Sequence, residues 1–81
     1  MSKSTDQQVS LTKGEIRVGV SFNPSGKMEV DKVKQMAADL IDVIEQISQS
    51  TENAEAKRCF SIAQTDIETA AMYAVKGIIK K

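Results

Sequence analysis

The chain has no histidine and no tryptophan, and among its 81 residues there are one cysteine, one proline, two Phe and one Tyr. Each scarcity closes a class of function. Without histidine the commonest metal ligand and general base is missing, and Cys59, standing alone, forms no intramolecular disulfide, which fits a reducing compartment. Few aromatics leave little bulk for a core, and a chain of this length buries only roughly 60% of the surface its unfolded form exposes. With neither disulfide nor metal to staple it, self-assembly is the expected supplement. Eleven basic and eleven acidic side chains cancel, so no overall field draws in DNA or RNA polymers, and an anionic partner must be held by a local cluster of cations. No apolar run reaches membrane-spanning length, and the polar start "MSKSTDQQVS" lacks the apolar stretch of a signal peptide. A soluble, intracellular protein without a membrane partner is expected.

The chain reads as a flexible arm over residues 1–13, rich in Ser, Thr, Gln and Lys, followed by a single domain over 14–81. Within the domain, residues 14–22 contain "EIRVGVSF". This run alternates Ile16, Val18, Val20 and Phe22 with Arg17, Gly19 and Ser21, which predicts a half-buried strand or extended segment. Residues 23–29 carry the turn signal Asn-Pro-Ser-Gly. Apolar residues then recur at Val30, Val33, Ala37, Leu40, Ile44 and Ile47, predicting a helix over 30–48. Met36, Ile41 and Val43 widen its stripe beyond what one partner covers, so a second contact surface is expected. "SQSTEN" interrupts, with Thr51 or Ser50 as candidate caps. A second helix follows over 52–79, with a seam of Ala56, Phe60, Ala63, Ile67, Ala70 and Ala74. The fold class is therefore all-α: an antiparallel two-helix hairpin preceded by an extended segment or short strand, assembled as a compact helical homo-oligomer.

A different line on the second helix carries Arg58, Ser61, Thr65, Glu68 and Met72 at steps of three and four, with Lys76 one turn beyond. Such a line is most often a solvated helix face. It is equally the composition of an anion groove, since Arg and Lys suit phosphate oxygens and hydroxyls supply neutral donors. Phe22, beside the turn, either closes the core or stacks on a base. Cys59 has no histidine to activate it and reads as a packing thiol. "SGK" lacks the upstream glycine of a phosphate-binding loop, which excludes a nucleoside triphosphatase. No catalytic set and no metal spacing emerge, so a binding protein without cofactors is favoured over an enzyme.

Two segments, "RVGVSFNPSGKMEVDKVKQMAADLID" and "AKRCFSIAQTDIETAAMYAVKGI", resemble a phage anti-defence family that shares an anti-CBASS and Thoeris anti-defence hairpin domain. The resemblance implies a sponge that sequesters cyclic oligonucleotide immune messengers without cleaving them, in the cytoplasm of the infected bacterial host. Cyclic dinucleotides such as cyclic GMP-AMP, and cyclic trinucleotides, are the implied ligands, and a homohexamer the implied assembly. Carried over by residue, it makes Phe22 and Lys34 the candidate dinucleotide contacts, with Asn23, Pro24 and Lys27 beside them. Arg58, Ser61 and Thr65 become trinucleotide candidates, with Met72 and Lys76 further along the same line. A sponge for cyclic ADP-ribose-type Thoeris signals and a structural, protein-binding hairpin stand as alternatives.

Overall fold

The computed structural model describes residues 10–81, so most of the arm expected over 1–13 lies outside the described residues. Three helices follow in order: α1 (Lys13–Val18), α2 (Met28–Gln49) and α3 (Ala54–Lys80). There is no strand among the described residues. The extended segment expected over 14–22 is corrected to a short helix and its exit turn.

Local chemistry accounts for α1. Thr12 Oγ1 accepts from the Glu15 amide at 3.1 Å while Glu15 Oε1 accepts from the Thr12 amide at 2.9 Å, a reciprocal capping box. Gly19 ends the helix at φ 70, a left-handed conformation that glycine adopts without strain. Its amide donates to Ile16 O and the Val20 amide to Glu15 O, the paired closure of a Schellman motif. The alternation of Ile16, Val18, Val20 and Phe22 therefore never shares a face. Ile16 and Phe22 are both about two-thirds exposed.

In the turn, Asn23 is wholly engaged. Its Oδ1 accepts from Ser25 Oγ and the Gly26 amide, and its Nδ2 donates to Lys27 O and Asp31 Oδ1. Pro24 sets the backbone and Gly26, at φ 70, releases it. Lys27 is the N-cap of α2. At the other end, Ser50 Oγ and Thr51 Oγ1 both donate to Ile47 O and so close α2. The cap of α3 is instead Asn53, whose Oδ1 accepts from the Ala56 amide at 2.8 Å.

The hairpin is antiparallel, because Lys27 Nζ donates to Ile78 O and Lys81 pairs with Glu29 at 2.9 Å. Helix α1 runs back along α2: Lys13 pairs with Glu45, the Gly14 amide donates to Asp42 Oδ1, and Glu15 Oε2 accepts from Gln35. Gly14 is buried there, with no room for a side chain. The second contact surface expected of the first long helix is thus partly supplied by α1.

Burial peaks at Val30, Ala38 and Ile41 on α2 and at Gln64 and Ala71 on α3. Val30 of the expected seam is fully buried, but beyond it burial moves by one residue: Ala38 and Ile41 bury more than Ala37 and Leu40, and on α3 Ala71 is buried while Ala70 and Ala74 are exposed. On α2 the reason is its two neighbours, since burial is deepest between the lines where α1 and α3 touch. On α3, Gln64 turns inward because its amide finds acceptors, Ile41 O at 3.2 Å and Glu45 Oε1 at 3.1 Å. Cys59, expected to pack, is exposed.

Val30 and Ile41 are the two large side chains buried completely, each worth about 1.5–3 kcal/mol. Meanwhile Met36, Leu40, Val43 and Ile47, spaced four, three and four, stay 47–65% exposed. No helix among the described residues is long and apolar enough to cross a membrane.

Two expected outcomes arise here. Gly77 lies inside α3 with open space around it, so Gly77→Ala should stabilise the fold by about 0.5–1 kcal/mol through helix propensity, read as a raised denaturant midpoint. The second concerns acid. Hydrogen bonds from the Thr12 backbone and Gln35 hold the Glu15 carboxyl below its ordinary value, and the Lys13 ammonium, with Gln64, does the same for Glu45. Groups depressed on folding contribute stability that is complete above the unfolded glutamate pKa of about 4.3 and lost as pH falls through the folded value. Melting temperature should therefore be level above about pH 5 and fall below about pH 4. In the same range the Gly14 amide resonance should report α1 loosening.

Candidate functional site

Beside the α1 exit, α1, α2 and α3 enclose an open groove of about 510 Å³, within the size range of small-molecule sites. Arg17 and Val18 come from α1, Lys34 from α2, and Thr65, Glu68, Thr69, Ala71, Met72 and Val75 from α3. One wall is apolar, formed by Val18, Ala71, Met72 and Val75. The polar side carries two cations, one carboxylate and two hydroxyls.

Each polar group has a defined position. Arg17 directs Nε and Nη2 onto the same oxygen, Glu68 Oε1, at 3.1 and 3.0 Å. Its Nη2 also lies 3.5 Å from Thr65 Oγ1. Thr69 Oγ1 donates to Thr65 O one turn back, which fixes its rotamer. Lys34 Nζ donates to Gly19 O at 3.0 Å and to Phe22 O. It thereby joins the Phe22 amide on Gly19 O and reaches Phe22 O, both carbonyls of the turn that follows α1. The same ammonium stands 5.5 Å from the centroid of the Phe22 ring, inside cation–π range. Lys34 thus ties the groove to the loop that presents Phe22.

Among the candidate residues, Lys34, Thr65 and Met72 meet in this groove. Phe22 is 67% exposed and joined to the groove only through Lys34. Asn23, Pro24 and Lys27 form the turn beyond it, where Lys27 reaches across to α3. Arg58 and Ser61 lie one to two turns toward the N-terminus of α3, about 10 and 6 Å from Thr65 along the axis. Arg58 is held by Glu55 at 2.9 Å, and that pairing lowers the Glu55 carboxyl and raises the arginine. Lys76 sits 5.3 Å from the Tyr73 ring centroid on the exposed side.

Sequence reading did not place Arg17, Val18 or Thr69 in a site. Thr69 was within reach, four residues after Thr65 and one after Glu68. Arg17 was concealed by its assignment to a strand, although "TKGE" over 12–15 is a capping-box pattern.

A family model described as the Acb2/Tad1 hairpin domain matches residues 12–78. The chain belongs to that family. The match begins at the N-cap of α1 and runs to Ile78, so it takes in α1, α2, α3 up to its last two residues and every lining residue of the groove. The Acb2/Tad1 proteins are anti-CBASS and anti-Thoeris sponges, which bind signals rather than transform them. No curated protein and no solved structure matches the chain.

Proposed function

We propose that this Acb2/Tad1 protein captures cyclic oligonucleotide immune messengers, cyclic dinucleotides such as cyclic GMP-AMP foremost, and withholds them from CBASS effectors without cleaving them. The observation that carries the reading is the groove, where Arg17, Lys34 and two threonine hydroxyls face an apolar wall. Cations with neutral donors suit phosphodiester oxygens, and Val18, Met72 and Val75 offer apolar surface to a base. Phe22, presented by Lys34, is the candidate stacking group at the rim. Arg58 and Ser61, with Thr65, remain candidates for a trinucleotide, and Asn23, Pro24, Lys27 and Lys76 for outer contacts.

Capture is stoichiometric, so affinity must exceed that of the effector. A pocket completed by a second protomer would bury more of the ligand than an open groove does. Support for self-association comes from the unpartnered line Met36, Leu40, Val43 and Ile47 and from the small core. We infer a homo-oligomer, with a hexamer the expected state, acting in the cytoplasm of the infected bacterium.

Calorimetry with cyclic GMP-AMP, other cyclic dinucleotides, cyclic triadenylate and cyclic ADP-ribose isomers tests the reading, followed by recovery of the ligand. Tight binding with the ligand recovered intact is the expected result. Linear products would make the protein a nuclease, and binding of cyclic ADP-ribose isomers alone would assign it to Thoeris signals. Failure to bind any of them, together with a monomeric mass, would leave a structural hairpin.

A further inference from the structure

We propose that Arg17 is the residue of the groove that reads phosphate, and that Glu68 is its built-in competitor, holding the place on the guanidinium that a phosphodiester takes on binding. This rests on the reading that the groove receives a cyclic oligonucleotide. The geometry motivates it in three ways. First, Arg17 and Glu68 both line the groove, and they come from helices α1 and α3, 51 residues apart in sequence. Their pair therefore spans the space a ligand enters.

Second, the pairing is incomplete. Both Arg17 nitrogens converge on Oε1 alone, whereas a guanidinium and a carboxylate at their best make two parallel bonds to two oxygens. The partners are part-buried, at 27% and 40% exposure, so solvent still reaches the pair and screens it in part. A phosphodiester can present two oxygens to the same fork, with more charge-assisted bonding than the single carboxylate oxygen provides. Third, Thr65 Oγ1 stands 3.5 Å from Arg17 Nη2, ready to donate to the incoming oxygen once the carboxylate has left.

The attachment of α1 does not depend on this pair, because Lys13–Glu45 and the Gly14 amide to Asp42 hold the helix independently. Glu68 can consequently leave Arg17 without releasing the element that carries it. The result is a selectivity filter. A ligand without an anion at this point gains nothing from displacing Glu68 and meets a neutralised guanidinium. A ligand whose phosphate reaches Arg17 exchanges a weak partner for a strong one.

The test is isothermal calorimetry of the full chain with cyclic GMP-AMP and cyclic triadenylate, alongside melting curves, for wild type, Glu68→Gln, Arg17→Ala, Arg17→Lys and the Arg17→Ala/Glu68→Gln pair. Glu68→Gln keeps size and polarity but removes the competing charge, and should tighten binding of at least one probe roughly tenfold. Arg17→Ala should weaken it roughly tenfold or more, and Arg17→Lys, with the charge but not the fork, should fall between. In the double variant the gain from Glu68→Gln should vanish, since nothing is left to compete for. If wild type binds a probe while Glu68→Gln and Arg17→Ala leave its affinity unchanged, the pair is only a staple between helices and this inference fails while the functional reading stands. If neither wild type nor Glu68→Gln binds either probe, this inference fails, and the functional reading fails with it when the wider ligand panel is negative too. Binding measurable only in Glu68→Gln would support the competitor role most directly.

Discussion

Replacing Gly14 by alanine is expected to destabilise the fold by about 1–3 kcal/mol, the usual effect of forcing an extra carbon into a filled contact. A Cβ at this position would stand 2.3 Å from Ala38 O and 2.8 Å from Asp42 Oδ1. The first obstacle is backbone in the middle of α2 and cannot turn aside, so α1 would have to lift. Lifting it would break the Gly14 amide bond to Asp42 and strain the Lys13–Glu45 pair. Arg17 and Val18 would move with it, so ligand affinity should drop together with stability. In a domain of this size each kcal/mol shifts the melting temperature by roughly 4–8 °C. Thermal unfolding followed by circular dichroism, with Gly77→Ala as the control in open space, reads the effect. A Gly14→Ala protein that melts with wild type would mean that α1 is not docked against Ala38.

How much of this was legible in the sequence differs by helix. The hairpin was readable because α2 and α3 are long enough for a 3.6-residue period to repeat several times, which fixes both type and position. Helix α1 has six residues, under two turns, and no period can emerge from so few. Its signal lay in punctuation instead: the reciprocal Thr12 and Glu15 at the start and Gly19 at the end. Gly19 in the middle of an apparent strand is itself a breaker. The apolar alternation around it arose from Ile16 and Phe22, which the fold leaves in solvent. The small displacement of both seams has another origin. Periodicity finds the centre of the apolar arc, while burial also depends on neighbours such as α1 that helical spacing does not disclose.

The site divides the same way. Thr65, Glu68 and Met72 were found because they share one face of one helix. Their opposite numbers come from elsewhere in the chain, and nothing in local spacing announces that Arg17 meets Glu68 or that Lys34 closes the end of α1. Such meetings are products of tertiary packing.

Lys34→Ala is expected to have the largest effect on binding. Hydrogen bonds to charged groups contribute about 1.5–3 kcal/mol, so affinity for cyclic dinucleotides should fall roughly 10- to 150-fold. The substitution acts twice. It removes a cation that lines the groove, and it takes the ammonium away from Phe22 O and from Gly19 O, the latter keeping its bond from the Phe22 amide. The loop that presents Phe22 would then lose its tether. Phe22→Ala separates the two contributions, because it removes the ring and leaves the ammonium, and loss of one stacking contact is worth roughly 1–3 kcal/mol. Calorimetry of both variants with cyclic GMP-AMP decides the matter. Unchanged affinity in both would show that the turn is not the rim of the pocket.

Gln64 has a bearing on how the two long helices know where to stop. With Val30 and Ile41 the two large side chains buried completely, apolar packing gives little reason to prefer one alignment of α2 on α3 over another displaced by a turn. The buried amide does discriminate. Only in the present alignment does Gln64 Nε2 reach both Ile41 O and Glu45 Oε1, and a slip in either direction would strand it among hydrocarbon with its donors unmatched. One polar side chain thus sets the phase of the hairpin, and through Glu45 and Lys13 it carries that phase to α1.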